Sequence, residues 1–469
     1  MTIDSDARRF ADDPAGFFGH SYAAMHSVPH QELTALQTAA LQMRFAQLRD
    51  RVAVLTTMAD EQGITRIERI DDAAPLLFQH TVYKSYPVSL VIDGRFDRLT
   101  RWLDRLTAAD LSSVDVSGCQ GIDDWMRALH AQTDLRPVHS SGTTGTMSFL
   151  PRTVGEADRM FVTSRLGLVP GLDPFAAADA RYRHIVWPAF RYGGSAIMQF
   201  ADYLVRHVAG SEERFHALHP GRMSSDVLFL AGRLRAAQAR GEVEGLDPGS
   251  ALRARKAEFD QAQREMAAGR PAFLARIVER LRGERVLFMG SWSTTYQLAQ
   301  EACEQGLTGV FAADSSVVGG GGAKGVVLPD GWEQVIERFI GVPQLRHCYA
   351  MSEVMATHMM CPRGRFHIEP STILFVLDPQ NGSVLPREGV RTGRAAFFDL
   401  LAETYWGGFI TGDEVTVDWS PCACGLTSPN LARTIERYGD KAGGDDKISC
   451  AATESAQRDA LDFLIGELV

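Results

Sequence analysis

The chain has 469 residues, of which 45% are hydrophobic and 23% are charged, and its formal net charge is −10. That length is enough for two or three structural units with large cores. The acidic balance argues against a dedicated nucleic-acid-binding protein, and no apolar run approaches the ~20 residues of a membrane span. The acidic N-terminus lacks the apolar segment of a signal peptide. Seven cysteines favour reduced thiols, metal ligands or a nucleophile over a disulfide framework, so we expect a cytoplasmic protein.

Hydrophobic periodicity predicts helices first and an α/β alternation later. Residues 31–58 and 86–106 have apolar positions at helical spacing. RHIVWPAF and RVLFMG are typical of short buried strands, and the stretch at 212–282 predicts several helices. A strand running into a glycine loop follows at 306–325. After about residue 345 the chain becomes strand-rich in STILFVLD, GRAAFFDLL and DEVTVDW, which predicts an α/β core with an attached β-rich subdomain.

A run of hydroxyl residues and glycines is the first candidate site. Glycines let backbone N–H groups approach a phosphate, and Ser and Thr add hydroxyl donors. The spacing differs from that of the kinase and GTPase P-loop. An ordinary Gly/Thr turn is the alternative interpretation. The candidate phosphate-binding residues are Ser140, Ser141, Gly142, Thr143, Thr144, Gly145 and Thr146.

Two later motifs follow this loop in a recognisable order. They are YAMSE, residues 349–353, and TGD, which ends at Asp413. The ordered triplet resembles the adenylate-forming superfamily of acyl-CoA ligases and adenylation domains over roughly residues 85–450. The loop lacks the lysine that many members carry two positions after the second glycine, and GGGGAKG and the Cys/His arrangement described below are also distinctive. With these features the chain is similar to the branch of phenylacetate-CoA ligases and the acyl-protein synthetases of bacterial luminescence.

The resemblance implies an α/β fold, the large N-terminal domain of an adenylate-forming enzyme. That domain has α/β subdomains plus a β-rich subdomain, followed here by a very short C-terminal segment. The expected divisions are a helical region at 1–84, an α/β adenylation core at 85–345, a β-rich subdomain at 346–438 and a C-terminal segment at 439–469.

The resemblance also implies roles for individual residues. The hydroxyl–glycine loop would hold the ATP phosphates, with Thr143 taking part in catalysis. Tyr349 would pack near the adenine, Ser352 and Glu353 would bind the nucleotide and Mg²⁺, and Asp413 would accept hydrogen bonds from the ribose. Mg²⁺ and oriented donors neutralise the charge that develops when a carboxylate attacks the α-phosphate, and a hard cation needs an oxygen ligand. In the alternative interpretation Tyr349 is a core residue and Glu353 a helix N-terminal carboxylate.

Two weaker features flank these motifs. His139 precedes the phosphate loop, and a histidine bonded to the backbone is a better interpretation than one that contacts the substrate. The glycines around residues 319–325 are expected to approach the nucleotide base.

Four further residues form a candidate metal site. Cys361, His367, Cys422 and Cys424 make a Cys₃His set, which is typical of structural zinc. Four protein ligands leave no open position, so such a Zn²⁺ would hold the β-rich segment together rather than perform chemistry. Two separate pairs of free side chains are the alternative. Some phenylacetate-CoA ligase relatives have cysteines and a histidine at matching places.

The C-terminal end departs from the family pattern. Only 56 residues follow Asp413, too few for the family's usual C-terminal domain, and no equivalent of its catalytic lysine is found. The acyl-protein synthetases are similarly short and transfer the acyl group to a cysteine near their own C-terminus. Cys450 could take that role, because a thiolate is a nucleophile and Lys447 lies nearby. A small buried cysteine is the alternative.

Together these features predict an ATP-dependent ligase that converts a carboxylic acid to an acyl-adenylate. The acyl group would then pass to a thiol, either that of Cys450 or that of a carrier protein or reductase partner. An acyl- or aryl-CoA ligase that uses free CoA is the first alternative. A catalytically silent zinc-binding protein with the same fold is the second. The sequence does not identify the carboxylic acid.

Overall fold

The computed structural model describes residues 3–140, 146–169, 183–240, 256–320 and 328–441. These residues divide into two compact units. The first contains residues 3–140, 146–166 and 351–441, and the second contains the described residues between 167 and 350. Six predicted site residues lie outside the described residues: Ser141, Gly142, Thr143, Thr144, Gly145 and Cys450.

Helices predominate in the N-terminal part of the first unit and recur between the strands of the second. The described helices are α1 (Ile3–Asp12), α2 (Pro14–Phe17), α3 (Tyr22–His26), α4 (His30–Leu48), α5 (Ala53–Glu61), α6 (Ser89–Ile92), α7 (Phe96–Asp104), α8 (Ile122–Gln132), α9 (Val154–Leu168), α10 (Ala196–Leu204), α11 (Ser225–Arg240), α12 (Lys256–Leu281), α13 (Trp292–Glu304) and α14 (Trp332–Ile340). The helical spacing predicted for residues 31–58 is confirmed by α4 and α5. None of the described helices combines the length and the apolar character needed to cross a bilayer.

The strands fall into an antiparallel group, a parallel group and one hairpin. They are β1 (Phe78–Gln79), β2 (Val138–His139), β3 (Phe149–Leu150), β4 (His184–Gly193), β5 (Phe215–Met223), β6 (Val286–Ser291), β7 (Ser316–Gly320), β8 (Arg346–Met351), β9 (Val354–Met359), β10 (Phe366–His367), β11 (Thr372–Leu377), β12 (Val390–Asp399), β13 (Gly408–Asp418), β14 (Asn430–Leu431) and β15 (Glu436–Arg437). The strand-rich character predicted after residue 345 is confirmed by β8 to β13.

The sheet of the first unit has the order β10-β14-β13-β12-β11, and β1 and β15 also pair with β13. The pairs along the main order are antiparallel, whereas β1 runs parallel to β13. Buried and half-buried residues alternate along the second half of β13, as expected for a strand with one face in the core. This sheet positions Asp413, because that residue lies within β13.

Helix α4 packs on this sheet through apolar contacts and two buried polar side chains. Phe45 packs edge-to-face on Trp406, with ring centroids 5.9 Å apart. The side-chain amide of Gln37 donates to the carbonyl oxygen of Pro370 at 2.8 Å, and Nε of Arg44 donates to that of Leu400 at 2.9 Å. Buried polar groups need such partners to replace water, so these bonds fix α4 against the strands.

The described residues of the second unit contribute five parallel strands in the order β5-β4-β6-β7-β8. Their apolar runs, such as VLFM in β6, suit a parallel sheet that is covered on both faces. The predicted strands RHIVWPAF and RVLFMG are confirmed. The purely helical interpretation of residues 212–282 is wrong at Phe215–Met223, which forms β5 beside β4. Periodicity alone cannot separate a short buried strand from a helix segment.

Candidate functional site

The candidate phosphate loop connects the two strands of a short hairpin in the first unit. Strands β2 and β3 pair with Val138 opposite Leu150. At the base of the loop, the N–H of Ser140 donates to the carbonyl oxygen of Ser148 at 3.0 Å, and the N–H of Ser148 donates to Oγ of Ser140 at 2.9 Å. These two bonds hold the ends of the loop together, so Ser140 lies at the neck of the hairpin.

Aromatic side chains and a buried histidine support this hairpin. The hydroxyl of Tyr86 donates to the carbonyl oxygen of Met147 at 3.0 Å, and the rings of Trp125 and Phe149 pack edge-to-face at 5.1 Å. Nδ1 of His139 lies 2.8 Å from the carbonyl oxygen of Ser140, and burial lowers the pKa of this ring. His139 is thus a neutral histidine bonded to the backbone, as the sequence predicted.

Ser352 and Glu353 form a two-residue turn between β8 and β9. Glu353 is half-buried, and it does not begin a helix, because a strand follows directly. The alternative of a helix N-terminal carboxylate is therefore wrong. A turn between strands presents a carboxylate at a sheet edge, which is a suitable place for a cation ligand.

A buried arginine contacts this turn. The guanidinium of Arg152, a residue two positions after the end of β3, donates through Nη2 to the carbonyl oxygen of Ser352. Its Nε donates to the hydroxyl of Tyr405 at 3.3 Å. Arg152 is only 2% exposed. It links the segment after the hydroxyl–glycine loop to the YAMSE motif, and the sequence pattern did not predict this role. The available signal was one arginine at the end of the apolar run FLP.

Two buried carboxylates accompany this arginine. Glu156 accepts hydrogen bonds from the N–H groups of Thr153 and Thr404 at 2.7 and 2.9 Å. Asp399 accepts from the N–H groups of Met355 and Leu401 at 2.5 and 3.0 Å. Burial raises the pKa of Asp399 to about 6, although these N–H groups and the charge of Arg152 oppose the rise.

Asp413 lies on β13 beside the short strand β15. It is the register partner of Arg437, and Nε of that arginine lies 3.5 Å from Oδ1 of Asp413. The N–H of Asp413 donates to Oγ1 of Thr411 at 3.0 Å. The carboxylate side chain is only 12% exposed. A largely buried carboxylate of this kind is a strong hydrogen-bond acceptor for hydroxyl groups.

The carboxyl edge of the parallel sheet carries the remaining nucleotide candidate. Gly320 at the end of β7 is in register with Ser291 on β6 and Cys348 on β8, and Tyr349 follows as a half-buried residue. Ligands of open α/β sheets bind outside this edge. A Cβ on Gly320 would lie 2.6 Å from Sγ of Cys348, and one on Gly319 would lie 2.6 Å from the ring of Trp292. Close packing therefore accounts for these two glycines.

The four predicted metal ligands form one cluster in the first unit. Their ligand atoms all lie within 4.8 Å of one another. Sγ of Cys361 and Sγ of Cys422 are 3.9 Å apart, and Sγ of Cys424 is 3.3 Å from Nε2 of His367. Zn–S bonds of about 2.3 Å separate two sulfurs of a tetrahedral site by about 3.8 Å. The arrangement therefore fits one tetrahedral metal ion, and the alternative of two separate pairs is wrong.

Two turns of the same construction present the cysteines. In each turn the N–H of a cysteine donates to the carbonyl oxygen of the residue four positions later: Cys361 donates to Arg365, and Cys422 donates to Leu426. A glycine three residues after each cysteine donates back to that cysteine's carbonyl oxygen, and both glycines have a positive φ. Glycine adopts this conformation without steric cost, so the spacing C-x-x-G explains both turns.

The histidine of the cluster is held from behind by a hydrogen-bonded chain. Nδ1 of His367 lies 3.1 Å from Oγ of Ser428, and that oxygen lies 2.9 Å from Nδ1 of His26 in α3. Burial lowers the pKa of His367 to about 4, so its ring is neutral and Nε2 can offer a lone pair to a cation. Partners of this kind orient a ligating histidine.

No protein-family model matches the chain, and no curated protein matches it in sequence. Among solved structures, the chain is similar to an open conformation of 2-hydroxyisobutyryl-CoA ligase in complex with 2-HIB-AMP and CoA. The TM-score is 0.52 at 14% identity, over 94% of this chain and 93% of that chain. The postadenylation state of that ligase with 2-HIB-AMP gives a TM-score of 0.51 at 14% identity, over 92% of this chain and 73% of that chain. This likeness confirms the predicted fold.

Asp399 provides a test of the buried charges through the pH dependence of stability. Its pKa is about 6 in the folded chain against an ordinary 3.8, so protonation stabilises the fold below about pH 4, and this contribution is lost as the pH rises through 6. The difference corresponds to about 3 kcal/mol. As the pH rises from 4 to 7, the unfolding free energy of the wild type should fall by about 3 kcal/mol relative to that of Asp399→Asn, measured by urea unfolding. A constant difference across this range would contradict the raised pKa.

Proposed function

From the fold of the adenylate-forming CoA ligases, which this chain has, we propose that it activates a carboxylic acid with ATP as an acyl-adenylate and passes the acyl group to a thiol. One observation carries the proposal. Ser140, Thr146, Glu353 and Asp413, which come from all three motifs, belong to one compact unit of this fold, whereas Tyr349 belongs to the other unit. Within that unit, Arg152 bonds the segment after the loop to the turn that carries Glu353.

The proposed roles follow from the chemistry of each group. In the first step a carboxylate oxygen bonds to the α-phosphorus of ATP, and the bond to pyrophosphate breaks. The hydroxyls and N–H groups of residues 140–146, Thr143 among them, would hold the phosphates. Asp413 would accept hydrogen bonds from the ribose hydroxyls, and Tyr349 would pack on the adenine. Mg²⁺ neutralises phosphate charge when it is bound, and Ser352 and Glu353 offer it oxygen atoms at the turn.

In the second step a thiolate bonds to the acyl carbon, and AMP leaves with the electron pair of the broken bond. The solved neighbour was crystallised with CoA and 2-HIB-AMP, which favours free CoA as the acceptor. The sequence instead favours Cys450, with a reductase or a carrier protein as the partner that receives the acyl group. We therefore propose transfer to a thiol and keep both acceptors as outcomes of one experiment.

We also propose that the Cys₃His cluster binds one structural Zn²⁺. Thiolates and a neutral imidazole are the ligands that Zn²⁺ prefers, and four protein ligands leave no position for a substrate. Burial raises the pKa of the Cys424 thiol to about 11, and a bound cation would reverse that effect by stabilising the thiolate. The zinc would link the two cysteine turns to β10.

The nucleotide site is tested by exchange of labelled pyrophosphate into ATP across a panel of carboxylic acids. We expect acid-dependent exchange by the wild type. Asp413→Ala should raise the KM for ATP at least tenfold, because the ribose loses charge-assisted hydrogen bonds. Asp378→Ala is a matched control, since Asp378 directly follows strand β11 of the same sheet and its carboxylate accepts the N–H of Gln380 at 2.8 Å. Absence of exchange with every acid would favour the silent binding protein.

The acyl acceptor is identified by incubating the protein with labelled acid and ATP and then running a denaturing gel. If Cys450 is the acceptor, the chain becomes labelled, Cys450→Ser abolishes the label, and Cys119→Ser does not. If CoA is the acceptor, label appears in a small thioester only when CoA is added. Label that survives in Cys450→Ser would exclude this cysteine and leave the adenylation step intact.

Metal analysis of the purified protein tests the cluster. We expect about one zinc per chain, and we expect Cys422→Ser to lose the metal and to lower the unfolding temperature by several degrees, because metal binding adds to folding stability. Cys303→Ser, which is remote from the cluster in sequence, should keep both. Protein without metal and with all four ligands reduced and free would contradict the proposal.

A further inference from the structure

Arg152 occupies a fixed position at the base of the hairpin that carries residues 140–146. Its N–H donates to the carbonyl oxygen of Leu150 at 3.0 Å, and its own carbonyl oxygen accepts from the N–H of Arg136 at 2.6 Å. The backbone of Arg152 is therefore held by bonds on both sides. The side chain of Arg152 therefore starts from a backbone position that is fixed relative to the hairpin.

The guanidinium of Arg152 ends at the turn of Ser352 and Glu353, 200 positions further along the chain. One arm of the group donates to the carbonyl oxygen of Ser352, and Nε donates to the hydroxyl of Tyr405. Tyr405 is fully buried, and burial raises the pKa of its phenol, so the hydroxyl is neutral. The planar fork of donors can satisfy both acceptors at once.

A second contact holds the other side of the same turn. The carboxylate of Asp399 accepts the N–H of Met355, two residues after Glu353. Arg152 thus bonds the carbonyl oxygen of the residue before Glu353, and Asp399 bonds an N–H two residues after it. The backbone around Glu353 is fixed at both ends by buried groups.

We propose that Arg152 is a positioning residue that holds Glu353 at a set distance from the hairpin of β2 and β3. The proposal rests on the proposed function, in which Glu353 offers an oxygen to Mg²⁺ and the loop holds the phosphates. Lysine cannot replace the arginine fully. It keeps the charge that balances Asp399 and Glu156, but one ammonium group cannot reproduce the two-acceptor fork.

The first experiment compares Arg152→Lys with Arg44→Lys. Arg44 is a matched control, since it is also buried in the first unit and also donates to a main-chain oxygen, that of Leu400. We expect similar, modest decreases in unfolding temperature for both variants. Only Arg152→Lys should raise the half-saturating free Mg²⁺ concentration of ATP–pyrophosphate exchange, by about tenfold. A purely structural arginine would not separate the two variants in this way.

A double-variant cycle tests whether Arg152 acts through Glu353. Glu353→Gln should itself raise the Mg²⁺ requirement. Adding Arg152→Lys to it should raise the requirement no further, because residues in one interacting unit are not additive. Additive effects would contradict positioning through Glu353. If Arg152→Lys does not fold, Tyr405→Phe replaces it, because this change removes one acceptor of the fork and keeps the arginine.

Hydrogen exchange provides a readout that does not depend on activity. The amides of residues 351–359 should exchange at least tenfold faster in Arg152→Lys than in the wild type, and they should be unchanged in Arg44→Lys. Equal exchange in both variants would overturn the proposal. If the wild type shows no pyrophosphate exchange with any acid, the proposed function fails, and hydrogen exchange still decides whether Arg152 fixes the turn.

Discussion

The first unit depends on three charged side chains that are buried in its interior, those of Arg152, Glu156 and Asp399. Removing a charge from water costs several kcal/mol unless partners replace the lost hydration. Main-chain groups supply most of these partners here, from segments that are far apart in the sequence. The charges therefore require the end of β3, the turn at Glu353 and the segment after β12 to take one mutual arrangement. Truncating Arg152 would leave the charges of Glu156 and Asp399 without this positive partner.

The Cys₃His cluster brings another part of the same unit together through polar side chains rather than through apolar packing. Each of its two cysteine turns is closed by hydrogen bonds within five residues, and its histidine lies on the short strand β10. The chain of hydrogen bonds from His367 through Ser428 reaches His26, and the carbonyl oxygen of His26 accepts the N–H groups of Thr427 and Ser428. The cluster thereby connects the helical N-terminal segment to the edge of the sheet that carries Asp413.

Much of the fold could be predicted, because its strongest signals are local. Strands β11 to β13 show the apolar and alternating patterns of buried strands, and α4 and α5 show helical spacing. Strand β5 could not be predicted, since FHALHP is too short for its periodicity to exclude a helix. At the candidate site, the four residues of the Cys₃His cluster were predicted as a set because thiol and imidazole groups in this combination are typical of metal ligands. Arg152 and Asp399 were missed, because a single charge beside an apolar run does not reveal its partner.

The amino-acid sequence by itself determined the types of chemistry that are present: a hydroxyl–glycine loop, a carboxylate in YAMSE, a carboxylate in TGD and a Cys₃His set. These are properties of side chains and short spacings, which survive in one dimension. Only the tertiary structure decided which groups meet. It showed that the four candidate metal ligands converge, that Glu353 lies in a turn between strands, and that Arg152 contacts that turn. The physical reason is that burial and long-range hydrogen bonds exist only after the chain has folded, since they join residues whose separation in sequence carries no information about their separation in space.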